Sequence, residues 1–238
     1  MILQRIAKNL LSRDWGEALV EVVIVILGIF IALQVDQWKT NYDNKQTEIS
    51  YLQRLHSELH SRIEEKDAQV KNIENRVERL VKVAEYLSGS NDSIQLEPND
   101  CGYITRIHIT ADYIESPNAI KELLLSGNIM LISDSKLRDR VINFDSEILS
   151  SKQLRHDIQS DRILLSRRYP EIISLGDSWS ETTCDYGAML NNSAFKNDFF
   201  DSYFRYQGYT SNVIFAQHER TKELFDLVDT YLAEHTSN

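Results

Sequence analysis

Two patterns of apolar residues divide the chain. Between Ala18 and Val35 the sequence reads ALVEVVIVILGIFIALQV, and from Val22 to Leu33 it is unbroken by any polar side chain. A run apolar on every side has no polar face to turn to water, unlike the amphipathic helices of soluble folds. From Trp38 the pattern changes to alternating steps of three and four: Trp38, Tyr42, Lys45, Ile49, Leu52, His56, Leu59, Ile63, Lys66, Val70, Ile73, Val77, Leu80, Ala84 and Leu87. That is a heptad seam, and nothing breaks it before Ser88-Gly89-Ser90, so one long helix is predicted over 38–90. The polar seam members Lys45, His56 and Lys66 either set the register of a coiled coil or mark where the seam is partly exposed.

The remainder, 91–238, reads as shorter helices. A helical turn is expected within Cys101–Ile114. Ser116-Pro117 predicts a cap followed by proline at the first helical position, and Gly127 a stop. Ser133 or Asp134 should cap a helix of roughly 36 residues ending near Tyr169-Pro170. Residues 171–192, with Trp179, Cys184 and Tyr186, read as a loop-rich insert. Two more helices, Ala194–Tyr206 and Thr210–His235, complete an all-α expectation: an N-terminal transmembrane helix continuing into a long coiled-coil-like helix, packed with antiparallel helices as an elongated bundle.

The 18 residues from Ala18 span about 27 Å as a helix, close to the roughly 30 Å of a bilayer core. Glu21 costs about 2.5–3.5 kcal/mol at a membrane centre, less near an end, against about 0.3–0.6 returned by each of about a dozen apolar residues. A retained span over 17–37 therefore outweighs a soluble core helix. It also outweighs a cleaved signal peptide, since Gln34-Val35-Asp36 offers no small-x-small site. Arg5, Lys8 and Arg13 precede the run and acids dominate after it, which places residues 1–16 in the cytoplasm and the rest outside. Leu3–Trp15 alternates bases with Ile6, Leu10 and Leu11, as an amphipathic segment on the inner leaflet would. Trp15, Trp38 and Tyr42 suit the interfaces. Glu17, Glu21, Gly28 and Ala32 share a helix face. Gly28 and Ala32 form a small-xxx-small pair, so that face is expected to be a transmembrane packing seam.

Charge and chemistry narrow the function. A formal charge of −10 in 238 residues argues against nucleic acid as a partner. The two cysteines, Cys101 and Cys184, cannot build a zinc module; in an oxidising compartment they are a candidate disulfide. His56-Ser-Glu-Leu-His60, with Glu64 one turn on, lacks the zincin order and reads as a solvated face, so no metal or other cofactor is expected. No nucleophile elbow, P-loop or Gly-rich nucleotide turn occurs, and no enzyme activity is expected.

The segment Gly28-Ile-Phe-Ile-Ala-Leu-Gln-Val-Asp-Gln-Trp38, preceded by Gly16-Glu17 and the apolar run, resembles a bacterial membrane-protein family of unknown function, DUF6090. Leu123-Leu-Leu-Ser-Gly-Asn-Ile-Met-Leu-Ile-Ser-Asp-Ser-Lys-Leu-Arg138 is similar to a second pattern of that family. The resemblance supports an anchor followed by helices and implies no activity. The expectation is a single-pass protein of the bacterial inner membrane, partnered by lipid, by copies of itself and by another envelope protein. It would act in assembly or docking. The alternative is a sensor or effector whose outer domain switches the transmembrane helices.

Overall fold

The structure is a computed structural model that describes residues 15–91, 93–111, 115–178 and 181–236, with side chains from Val20 onward. The chain divides into two units, one ending at Ser50 and one running from Tyr51 to Asn238. Helix α1 (Trp15–Ser88) carries both apolar patterns. Gly89 ends it in the left-handed conformation at φ +69°, which a residue without Cβ adopts at no steric cost.

In the second unit, α1 is followed by α2 (Asp100–Thr105), α3 (Asn118–Leu125), a 3₁₀ turn (Asn128–Leu131) and α4 (Ser135–Ser160). Then come α5 (Leu165–Arg168), the two-residue strands β1 (Ile173–Ser174) and β2 (Thr183–Cys184), α6 (Tyr186–Asn191) and α7 (Ser193–Tyr209). A π-helical segment (Thr210–Phe215) leads into α8 (Ala216–Thr236). The class is all-α, as the periodicity predicts; the strands form one antiparallel pair, with Ile173 opposite Cys184.

The heptad seam is occupied by the chain's own helices. Leu52, Leu59, Ile73, Leu80, Ala84 and Leu87 are buried, and so are Leu55 and Val83 beside them. The added row makes the stripe wider than a two-position seam, which is the face of a core helix rather than of a two-stranded coil. Periodicity reports that a face is covered and not what covers it.

Two cores lie along α1. Leu52, Leu55, Leu59 and Ile73 pack with Ile120 of α3, Phe144 of α4 and Leu224, Val228 and Tyr231 of α8. Leu80, Val83 and Leu87 pack with Ile104 of α2, Leu165 of α5, Met189 of α6 and Phe195 and Phe199 of α7. Val77 touches both clusters. Helices α1 and α8 run antiparallel: His56 meets Asp229 at 3.0 Å, His60 stacks on Phe225 with ring centroids 5.8 Å apart, and Asp67 meets His218 at 2.8 Å. Each advance along α1 is matched by an equal retreat along α8.

Four local expectations are corrected. The α4 pattern does not run on to Tyr169-Pro170; it stops at Ser160, and Arg205 pairs with Asp161 at the break at 2.9 Å. No Gly or Pro marks this point. Ile158 belongs to the first core and Leu165 to the second, and one straight helix cannot serve both. Ser116 does not cap α3, and its hydroxyl is buried without a partner among the described residues. The carboxylate of Glu58 on α1 caps it instead, accepting from the backbone N–H of Asn118 at 2.5 Å and of Ala119 at 3.2 Å. Residues 171–192 hold the strand pair and α6 rather than only loop. Within that pair, a Cβ on Gly176 would lie 2.8 Å from the Glu181 backbone carbonyl, so the close approach requires glycine. Trp179 lies outside the described residues. Finally, the two C-terminal helices are one unbroken run through the π segment.

Glu58 is a distant anion at a helix N-terminus, where it satisfies two otherwise orphaned donors. Glu58→Ala is expected to lower the stability of the bundle by about 1–2 kcal/mol, with Glu58→Gln retaining part of the effect, as measured by urea denaturation.

Candidate functional site

The apolar segment of α1 behaves unlike the rest of the chain. An 18-residue window within Val20–Ser88 has a mean hydropathy of 2.0, and none of it is buried. Ile24, Phe30 and Leu33 are each about three-fifths exposed, whereas Leu52 to Leu59 on the same helix are sealed. Apolar surface of that extent is not left bare on a soluble monomer. This is the one described helix long and apolar enough to cross a membrane.

Glu21, Gly28 and Ala32 are all exposed. Their steps of seven and four set them along one face of α1. A Cβ added at Gly28 would meet nothing within 4 Å. Glycine there serves no contact inside this chain, although it weakens a helix by roughly 0.5–1 kcal/mol relative to alanine. Trp38 and Tyr42 are exposed neighbours with ring centroids 6.5 Å apart. Trp15 and Glu17 belong to α1, but their side chains, like the expected surface segment up to Arg13, lie outside the described residues.

In the second unit, Cys101 and Cys184 form a disulfide, with Cα atoms 5.6 Å apart and a sequence separation of 83. Polar contacts tie the same segments. Tyr186 donates to the carbonyl of Glu97 at 2.7 Å, and burial beside Asp100 pushes its hydroxyl up to about 12. The buried Asp100 carboxylate accepts from the Glu97 N–H at 2.8 Å and lies 3.5 Å from Lys82 and 3.6 Å from Arg79.

The histidines of the α1 seam do not gather. His56 turns to Asp229 and His60 to Glu64, and no group of three metal-ligating side chains occurs among the described residues. Lys45 and Lys66 each pair with a neighbouring acid, Glu48 at 3.1 Å and Glu65 at 3.0 Å. They mark a partly exposed seam edge.

A small pocket lies where α2 ends, where α4 breaks and along α7. His108, Arg162, Arg205 and Tyr206 line it. Behind it, Arg76 stacks its guanidinium 4.6 Å from the Tyr206 ring centroid and donates to the carbonyls of Arg106 and, at 3.2 Å, Ile109. This cation serves the carbonyls that follow α2. Burial pushes the His108 pKa below 6.5, and Arg162 and Arg76 add repulsion, against the opposing effect of a hydrogen bond that the ring donates to the Thr105 backbone. The unfolded chain thus takes up a proton that the folded chain resists. This contribution to stability is complete above about pH 6.5 and is lost as the pH falls below it. His108→Gln is expected to flatten the decline in stability between neutral and mildly acidic pH, read from melting curves across that range.

An exposed, uninterrupted apolar helix window and a two-core helical bundle closed by a disulfide define a class: all-α proteins with one candidate membrane span. The model of the family of unknown function DUF6090 matches residues 21–165. The chain belongs to that family. The match runs from Glu21 through the break after α4 to Leu165. No curated protein and no solved structure matches the chain.

Proposed function

We propose that residues 17–37 cross a lipid bilayer and anchor the bundle as a non-enzymatic assembly or docking component. The carrying observation is the window of mean hydropathy 2.0, none of which is buried among the described residues. Arg5, Lys8 and Arg13 ahead of it favour an N-terminus in the cytoplasm of a bacterial cell and a bundle on the far side of the inner membrane. The Cys101–Cys184 bond supports the same orientation, because disulfides persist in oxidising compartments. Within the bilayer the face of Glu17, Glu21, Gly28 and Ala32 is a seam between copies of the chain. The open space around Gly28 supports this, since a second backbone can approach closely only where no side chain intervenes.

Native mass spectrometry of the intact chain in nanodiscs tests the seam. Discrete oligomers are expected for the wild type, and Gly28→Leu and Ala32→Leu should shift them towards monomer. A monomeric wild type overturns self-association but not anchoring. Protease added outside spheroplasts tests the orientation: the bundle should be digested, and its full protection overturns the topology.

A further inference from the structure

An open cleft of about 390 Å³ lies between α4 and the π segment with α8, apart from every residue assigned a role above. One wall is a stripe of α4 that includes Asn143, Ser146, Glu147 and Ser150; the other holds Asn212 and Val213 of the π segment and Arg220 of α8. Its volume falls within the roughly 300–1,000 Å³ of small-molecule sites.

The hydrogen-bonding inventory selects the ligand. Ser146 and Ser150 donate their hydroxyl protons to carbonyls one turn back, at 3.2 and 3.1 Å, and so present acceptor lone pairs. Asn212 Nδ2 donates to the Gly208 carbonyl at 2.9 Å, leaving its Oδ1 as a further acceptor. Glu147 is compensated by Arg140 at 3.3 Å and Arg220 at 3.6 Å, so the cleft favours neither a bare anion nor a bare cation. Asn143 offers a donor and an acceptor together, and the exposed side chain of Leu154 supplies apolar surface.

One feature marks this wall as more than packing: the π turn that carries Asn212 is a rare conformation, frequent at functional sites. Behind the wall the fully buried Gln217 donates from Nε2 to Ser151 at 3.2 Å.

We propose that this cleft binds a neutral sugar unit. Its hydroxyls would donate to the acceptors of Ser146, Ser150 and Asn212, and its C–H face would lie on Leu154. A peptide backbone brings equal numbers of donors and acceptors, and a phosphate needs uncompensated cations; the lining suits neither. The reading rests on the bundle alone and is independent of the membrane proposal.

The test uses the full chain in nanodiscs and isothermal titration with glucose, N-acetylglucosamine, maltose and diacetylchitobiose. Glycylglycine and inorganic phosphate serve as counter-probes. Saturable binding of at least one sugar is expected, weakened about tenfold by Asn143→Ala and by Asn212→Ala, the loss of one hydrogen bond each. Both residues lie at the surface, and circular dichroism checks that the variants fold. The proposal is overturned if no sugar saturates, if glycylglycine or phosphate binds more tightly, or if neither substitution weakens the sugar.

Discussion

Reduction of the Cys101–Cys184 bond is expected to lower the stability of the bundle by about 4–5 kcal/mol. The bond closes a loop of 83 residues, and the chain-entropy model assigns a loop of that length about this much freedom regained on unfolding. The bond joins α2 to β2 beside the second core, where Cys101 is buried. The Tyr186–Glu97 hydrogen bond holds the neighbouring segments without it, so the reduced protein should still fold, with a less constrained unfolded state. Guanidinium denaturation with and without reductant, repeated on Cys101→Ser/Cys184→Ser, measures the difference. At about 2–4 °C per kcal/mol for a domain of this size, the melting temperature should fall by roughly 10–20 °C. A loss below about 1 kcal/mol would mean that the bond constrains little that the core does not already fix.

The second large effect concerns Ile26, near the middle of the apolar run. Ile26→Arg should cost about 3–4 kcal/mol of insertion free energy, the sum of a central arginine and a lost isoleucine. The whole run contributes only about 4–7 kcal/mol by the same scale, and Glu21 already offsets part of it, so the arginine should leave little or no net gain: a substantial fraction of the variant should appear in the carbonate-soluble fraction while the wild type and Ile26→Leu stay with the vesicles. The substitution touches no buried contact, since none of the window is buried among the described residues. Near-ultraviolet circular dichroism of the bundle should therefore be unchanged, which separates failed insertion from failed folding. Equal retention of Ile26→Arg and wild type would sink the anchoring proposal.

Much of the fold was legible because α-helical periodicity is local. Leu52, Leu59, Leu80 and Leu87 announced their burial by spacing, and Asp134 capped α4 as expected, accepting from the Leu137 N–H at 2.8 Å. The misreadings share a cause, which is that the deciding partner lay far away in sequence. Ser116 had the right identity and position for a cap, yet Glu58, 60 residues earlier, supplies it. The end of α4 depends on which core claims Ile158 and which Leu165. The cleft joins Ser150 to Arg220, and no local pattern links positions that distant. The exposed apolar segment was legible for the opposite reason, since its hydropathy depends on composition alone.

The first core also sets an order of events. Leu52 and Tyr231 belong to one cluster, so the earliest helix of the bundle to leave the ribosome cannot finish burying its apolar face until the last one is made. Contacts between residues so remote slow folding and lengthen the exposure of sticky surface. During synthesis the face that Leu52, Leu55 and Leu59 present therefore stays uncovered until Leu224, Val228 and Tyr231 have been made.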